Sequence, residues 1–132
     1  TELAAETQRR SGVRCRFRAD KAARISQPLV ALHLFRLALE AVNNALRHAH
    51  ARNITISLNR APTHLTLEVV DDGTGLPPNF SESRGLGLHT MRYRAQSIGG
   101  RLSIGAGPAG GTAVSCFLPA ERAKEPGGKL HL

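Results

Sequence analysis

The chain has 132 residues, a formal charge of +8, two cysteines and no Trp. That length suits one domain, and two thiols are too few for a disulfide scaffold or a structural zinc site. The polar segment 1–10 is no apolar signal, no uninterrupted apolar run approaches the roughly 20 residues that span a bilayer, and the basic residues form no nucleic-acid-binding arm.

With 41% apolar residues and few aromatics, Leu, Ile, Val and Ala must fill the core. The first residue is Thr rather than Met, as in a fragment of a longer protein. Residues 1–11 read as a short charged helix or the end of an upstream one, broken at Ser11-Gly12. Val13, Cys15 and Phe17 alternate with Arg14, Arg16 and Arg18, which predicts a strand with one apolar and one basic face. A solvated edge is the plainer reading of that basic face. Cys15 and Cys116 both fall in alternating apolar patterns and are expected to be buried, reduced thiols in a cytoplasmic setting, with a single bridge as the alternative.

The next stretch predicts a helix over 27–49, with Ser26 as N-cap and Pro28 in the first turn, where its missing N–H costs nothing. Leu32, Phe35, Leu39, Val42 and Leu46 recur at spacings of three and four, and are expected to form its packed face. Glu40, Asn44, Arg47 and His48 share another side. Glu and Asn offer oxygens to a hard cation, while the basic groups suit phosphate. On this helix alone, a solvated polar face competes evenly with a ligand site.

Ile54, Ile56 and Leu58, then Leu65, Leu67 and Val69, alternate with polar residues around a turn at 60–64, predicting a hairpin in a sheet covered on one side. A mobile loop is expected over 73–87. Leu88, Met91, Ala95 and Ile98 predict a second helix, ended at Gly99-Gly100. Leu102 and Ile104 mark a strand, 105–111 a turn, and 112–118 a last strand with Val114, Cys116 and Leu118 on one side. The polar segment 120–132 reads as a flexible tail. The clustering of helices and strands predicts an α+β fold, a two-layer α/β sandwich with a mixed sheet of about five strands and helices on one face.

Three glycine-bearing motifs lie downstream of the helix. Asp71-Asp72-Gly73-Thr74-Gly75 ends an apolar strand; alone it is a turn signal, and functionally it is a carboxylate held at a strand end. Asp71 can accept a hydrogen bond from an exocyclic amine such as that of adenine, and the glycines let a flat base approach the backbone. Gly85-Leu86-Gly87 offers backbone N–H groups to phosphate at a helix entry, with Arg84 beside it; a hinge with a solvated arginine competes equally. Gly110-Gly111-Thr112 alone is a hairpin turn, although Thr112 would sit near Asp71 if their strands are neighbours.

Taken together, Glu40-x-x-x-Asn44, Asp71-x-Gly73-x-Gly75, Gly85-x-Gly87 and Gly111-Thr112 carry far more weight. Over about 12–119 the sequence resembles the ATP-binding catalytic domain of sensor histidine kinases, within the gyrase, Hsp90, histidine kinase and MutL superfamily. Further cues are Asn44-Ala45-Leu46-Arg47-His48-Ala49 and the run from Gly85 through Leu88-His89-Thr90-Met91-Arg92-Tyr93-Arg94-Ala95, closest to kinases that partner NarL/LuxR-type response regulators. The resemblance implies the Bergerat fold, with ATP between the central helix and a lid at 73–87. It implies Mg²⁺ on Asn44, polarisation of the nucleophile by Glu40 and adenine on Asp71. Gly73 and Gly75 would shape the base pocket, Gly85 and Gly87 would hinge the lid, Thr112 would share a water network with Asp71, and Arg47 or His48 would approach the phosphates. Leu39 stands where relatives often carry Gln, and Asp72 where many carry Asn, which would add negative charge near the base pocket.

In that family the phosphorylated histidine lies on a separate upstream dimerising hairpin. None of His33, His48, His50, His64, His89 and His131 sits in such a segment, so little autophosphorylation is expected of this piece. The expected partners are ATP, that upstream domain and the regulator, without direct nucleic-acid or membrane contact; the parent protein could be membrane-anchored. The competing readings are a serine protein kinase of the anti-sigma-factor type, a non-catalytic nucleotide-sensing module, and nucleic-acid binding through Arg14, Arg16 and Arg18.

Overall fold

The computed structural model describes residues 2–76 and 87–120. Its elements are α1 (Glu2–Ser11), β1 (Arg14–Ala19), α2 (Pro28–Arg47), β2 (Asn53–Arg60), β3 (His64–Asp71), α3 (Leu88–Ser97), β4 (Arg101–Ala106) and β5 (Thr112–Pro119). The five strands form one mixed sheet in the order β1-β2-β3-β5-β4. β1 and β2 are parallel and joined by α2; the other pairs are antiparallel. This is the expected two-layer α/β sandwich.

Alternation along the strands separates the two faces of the sheet. Cys15, Ile54, Ile56, Leu65, Leu67, Val69, Val114, Cys116 and Leu118 are buried in the core with the helices. The opposite face carries Arg14, Arg16, Arg18, Thr55, Ser57 and Ser103, and no helix among the described residues covers it. Cys15 and Cys116 are both free and buried, and lie on β1 and β5, which are not neighbours in the sheet. That separation excludes the single bridge.

α3 matches its predicted face: Leu88, Met91, Ala95 and Ile98 are all buried. Its end is closed by N–H groups of Gly99 and Gly100, which donate back to Gln96 O and Ala95 O. α2 departs from expectation. Its buried residues are Val30, Leu34, Leu37, Ala38, Ala41, Val42 and Ala45, whereas Leu32 and Phe35 are 45% and 48% exposed. Leu39 and Leu46 are only partly buried, and of the five expected residues Val42 alone is fully buried. Three small alanines line the packed side, letting the helix lie close on its neighbours. The N-cap also shifts: Gln27 occupies it without a side-chain capping bond, Pro28 takes the first helical position, and Ser26 is buried instead. By length and composition α2 is apolar enough to cross a membrane; here one side of it packs into the core while Leu29, Leu32 and Phe35 stay exposed.

Candidate functional site: a cavity between α2 and the end of β3

The inner face of β3 reads Leu65, Leu67, Val69, Asp71, so a carboxylate stands where the next core residue would fall. Asp71 is only 7% exposed. Its Oδ1 accepts hydrogen bonds from Gly73 N–H at 2.8 Å and Thr112 N–H at 3.3 Å. The second bond exists because β5 pairs with β3 and brings Thr112 beside the strand end. Both bonds use one oxygen, which leaves Oδ2 to face a ligand.

Asp71 forms part of the wall of a cavity of about 420 Å³, a volume in the range of small-molecule sites. The opposite wall is α2, which contributes Ala41, Asn44 and His48 one turn apart. Thr74, Gly75 and Leu76 close one side; Ile104, Val114 and Thr112 close the sheet side. The lining is mostly apolar with a few convergent polar groups, as a flat heteroaromatic ring would require. Asn44 lines the cavity with a buried side-chain oxygen, Oδ1, and its backbone carbonyl accepts from His48 N–H and Ala49 N–H. A buried amide oxygen of this kind suits a hard cation.

Two glycines approach α2 or the residues just after it closely. A side chain at Gly73 would run into the backbone of Ala49, whose carbonyl also accepts Thr74 N–H at 2.8 Å. Gly87, the left-handed N-cap of α3 at φ 66°, lies against the Glu40 carboxylate, and a Cβ there would overlap it. Glu40 thus sits at the α2–α3 junction, one turn before Asn44, and outside the cavity wall.

Among the predicted site residues, Asn44, His48, Asp71, Gly75 and Thr112 line one cavity; Gly73 braces its edge, and Glu40 and Gly87 meet beside it. Arg47 is exposed and does not line the cavity, because it is offset from the 44–48 row of the helix. Arg84 and Gly85, with most of the 73–87 lid, lie outside the described residues. Thr112 meets Asp71 through its backbone N–H. Asp72 turns away from the pocket, as the residue after an inward one on a strand must. Its carboxylate accepts Arg52 N–H and Asn53 N–H, both at 2.9 Å, and Asn53 Nδ2 at 2.7 Å. The Asn53 side-chain bond and then the two backbone bonds hold its pKa down to about 2. The expected extra charge at the base pocket is therefore spent on the start of β2. The apolar wall of Ala41, Leu88, Ile104 and Val114 went unread in the sequence, since their alternation marks them equally as core.

The profile of the "Histidine kinase-, DNA gyrase B-, and HSP90-like ATPase" family matches residues 30–122. The chain belongs to this ATPase family. It is 34% identical over 102 residues to the nitrate/nitrite sensor protein NarX of Escherichia coli, covering 76% of this chain and 17% of that protein. It is 42% identical over 86 residues to the signal transduction histidine-protein kinase/phosphatase UhpB of Salmonella typhimurium, covering 65% and 17%. The chain thus spans about a sixth of the length of these relatives. Among solved structures, the Erythrobacter litoralis EL346 blue-light activated histidine kinase superposes with a TM-score of 0.76 at 24% identity, covering 93% of this chain and 44% of that one. The ATP binding domain of PrrB from Mycobacterium tuberculosis gives 0.70 at 23% identity, covering 89% and 88%. Both show the same fold.

Proposed function

We propose that this chain is the catalytic domain of a sensor histidine kinase. It binds Mg²⁺-ATP and donates the γ-phosphate to a histidine on a separate dimerisation domain, for relay to a NarL/LuxR-type response regulator. The observation that carries this reading is the buried Asp71 carboxylate facing Asn44 across one cavity. Relatives named as sensor and histidine kinase proteins support it.

In this reading Asp71 Oδ2 accepts the exocyclic amine of adenine, while Gly73 and Thr112 N–H groups hold Oδ1 and fix the direction of the carboxylate. Ala41, Ile104 and Val114 sandwich the base. Asn44 Oδ1 would hold a divalent cation. The described residues contain no cluster of three or more His, Cys, Asp or Glu that could hold a metal, so the nucleotide's own phosphates would complete the shell. Such an ion would neutralise developing phosphate charge. His48, in the cavity wall, is the basic group of the pair placed to meet the nucleotide. Glu40 orients and polarises the incoming imidazole. Phosphoryl transfer then rests on positioning and electrostatics. We place the domain in the cytoplasm, where ATP and the regulator are found.

The reading is tested by incubating the chain with radiolabelled ATP, Mg²⁺ and a separately made histidine-bearing hairpin from a relative such as NarX. Label on the hairpin supports it. Label on a serine of a partner protein, or none on any acceptor despite ATP binding, contradicts it.

A further inference from the structure

The uncovered face of the sheet carries a feature that the nucleotide cavity does not use. Arg14, Arg16 and Arg18 stand on β1, one of the two outer strands, with alternate side chains on the same face about 7 Å apart. All three are exposed, and among the described residues none makes an ion pair. Their neighbours in register on β2 are Asn53, Thr55 and Ser57, neutral and short. Shallow depressions of about 260 Å³ beside Arg14 and Arg16, and about 330 Å³ beside Arg18, run along this row. The carboxylates bordering the row are already engaged elsewhere: Asp72 holds Asn53 across from Arg14, Asp20, two residues past Arg18, accepts Arg60 N–H, and Glu68, on the rim of the Arg18 depression, accepts the Ser115 hydroxyl.

The backbone of β1 is half open as well. Arg14 N–H donates to O of Arg52, just before β2, and Asp20 N–H to Leu58 O within it. In a parallel ladder the even positions therefore face β2, and the N–H groups of Cys15, Phe17 and Ala19 point outward. Gln8 Oε1 of α1 satisfies Cys15 at 3.1 Å. Among the described residues, no partner accepts from Phe17 N–H or Ala19 N–H.

We propose that this edge takes an extended acidic segment of a partner protein as a sixth strand, with Asp or Glu at alternate positions opposite Arg16 and Arg18. An added strand shares the pleat, so every second side chain falls within about 5 Å of its cross-strand neighbour, where opposite charges attract. A second copy of β1 would set arginine against arginine. Single-stranded nucleic acid needs aromatic stacking platforms; on this face Phe117 is exposed, on β5, three strands from the arginine row.

The test titrates the isotope-labelled chain with an acidic heptapeptide bearing Glu at alternate positions, and with an isomer of the same composition bearing its Glu residues in one block. The alternating peptide is expected to bind at least about fivefold tighter, to shift the Phe17 and Ala19 amides, and to lose roughly tenfold in affinity on Arg16→Glu with Arg18→Glu. The milder Arg16→Gln with Arg18→Gln should lose part of that. Equal binding of the two peptides, tighter binding of duplex DNA at about 150 mM salt, or no amide shift at millimolar peptide would overturn the proposal.

Discussion

Gly87 lies directly against the Glu40 carboxylate, so any side chain at the entry of α3 must push the acidic group of α2 aside. Gly87 also holds φ at 66°, which a side chain tolerates poorly. Gly87→Ala is therefore expected to displace Glu40. Phosphoryl transfer to a supplied histidine hairpin should fall at least about tenfold, while ATP affinity stays within about threefold. Steady-state phosphotransfer and calorimetry, measured on the same preparation, separate the two effects.

Glu40→Gln keeps the size of the side chain and removes its charge. Glu40 stands outside the cavity wall, so on its proposed role toward the nucleophile ATP binding should persist while the transfer rate falls by roughly 10²–10⁴. Asn44→Ala should act differently, by weakening the magnesium dependence of nucleotide binding. Titrations of ATP with and without Mg²⁺ should converge in that variant and differ in the wild type.

The face of α2 makes a stability prediction. Leu37 is 1% exposed and Phe35 48% exposed. Leu37→Ala should cost about 2–5 kcal/mol in denaturant unfolding, and Phe35→Ala within about 0.5 kcal/mol. A larger cost for Phe35→Ala than for Leu37→Ala would mean that the helix packs on the side expected from its larger residues.

That contrast shows where the sequence was legible. In α3 the apolar residues occupy one stripe and are diluted elsewhere by Arg and Gln, so periodicity identified Leu88, Met91, Ala95 and Ile98. In α2 nearly every position from Leu29 to Leu39 is apolar, so several stripes fit equally; the alanines that allow close packing decided the matter. The strands were readable from alternation, but the parallel pairing of β1 with β2 depends on the α2 crossover and left no local mark. The site was legible as motifs and their order. The apolar wall was not, and neither was the direction of Asp72, although strand alternation would have supplied it.

Asp72 gives a pH dependence. Its folded pKa, about 2, lies below the ordinary value of 3.8, so its ionised form is favoured by folding. The stabilisation is present above about pH 4 and is lost as pH falls from there through 2. Asp72→Ala should lower the melting temperature at pH 7 by an amount equivalent to roughly 1 kcal/mol, modest because the group is on the screened surface. The difference between variant and wild type should shrink toward pH 2.

The most direct measurement is calorimetry of ATP binding to the wild type and to Asp71→Asn. Asparagine keeps an oxygen for Gly73 and Thr112 but presents an N–H₂ group to the adenine amine. The expected loss is about 1.5–3 kcal/mol, roughly 10- to 150-fold in Kd, with the fold intact by circular dichroism. Unchanged affinity in the variant would contradict the assignment of this cavity to the purine.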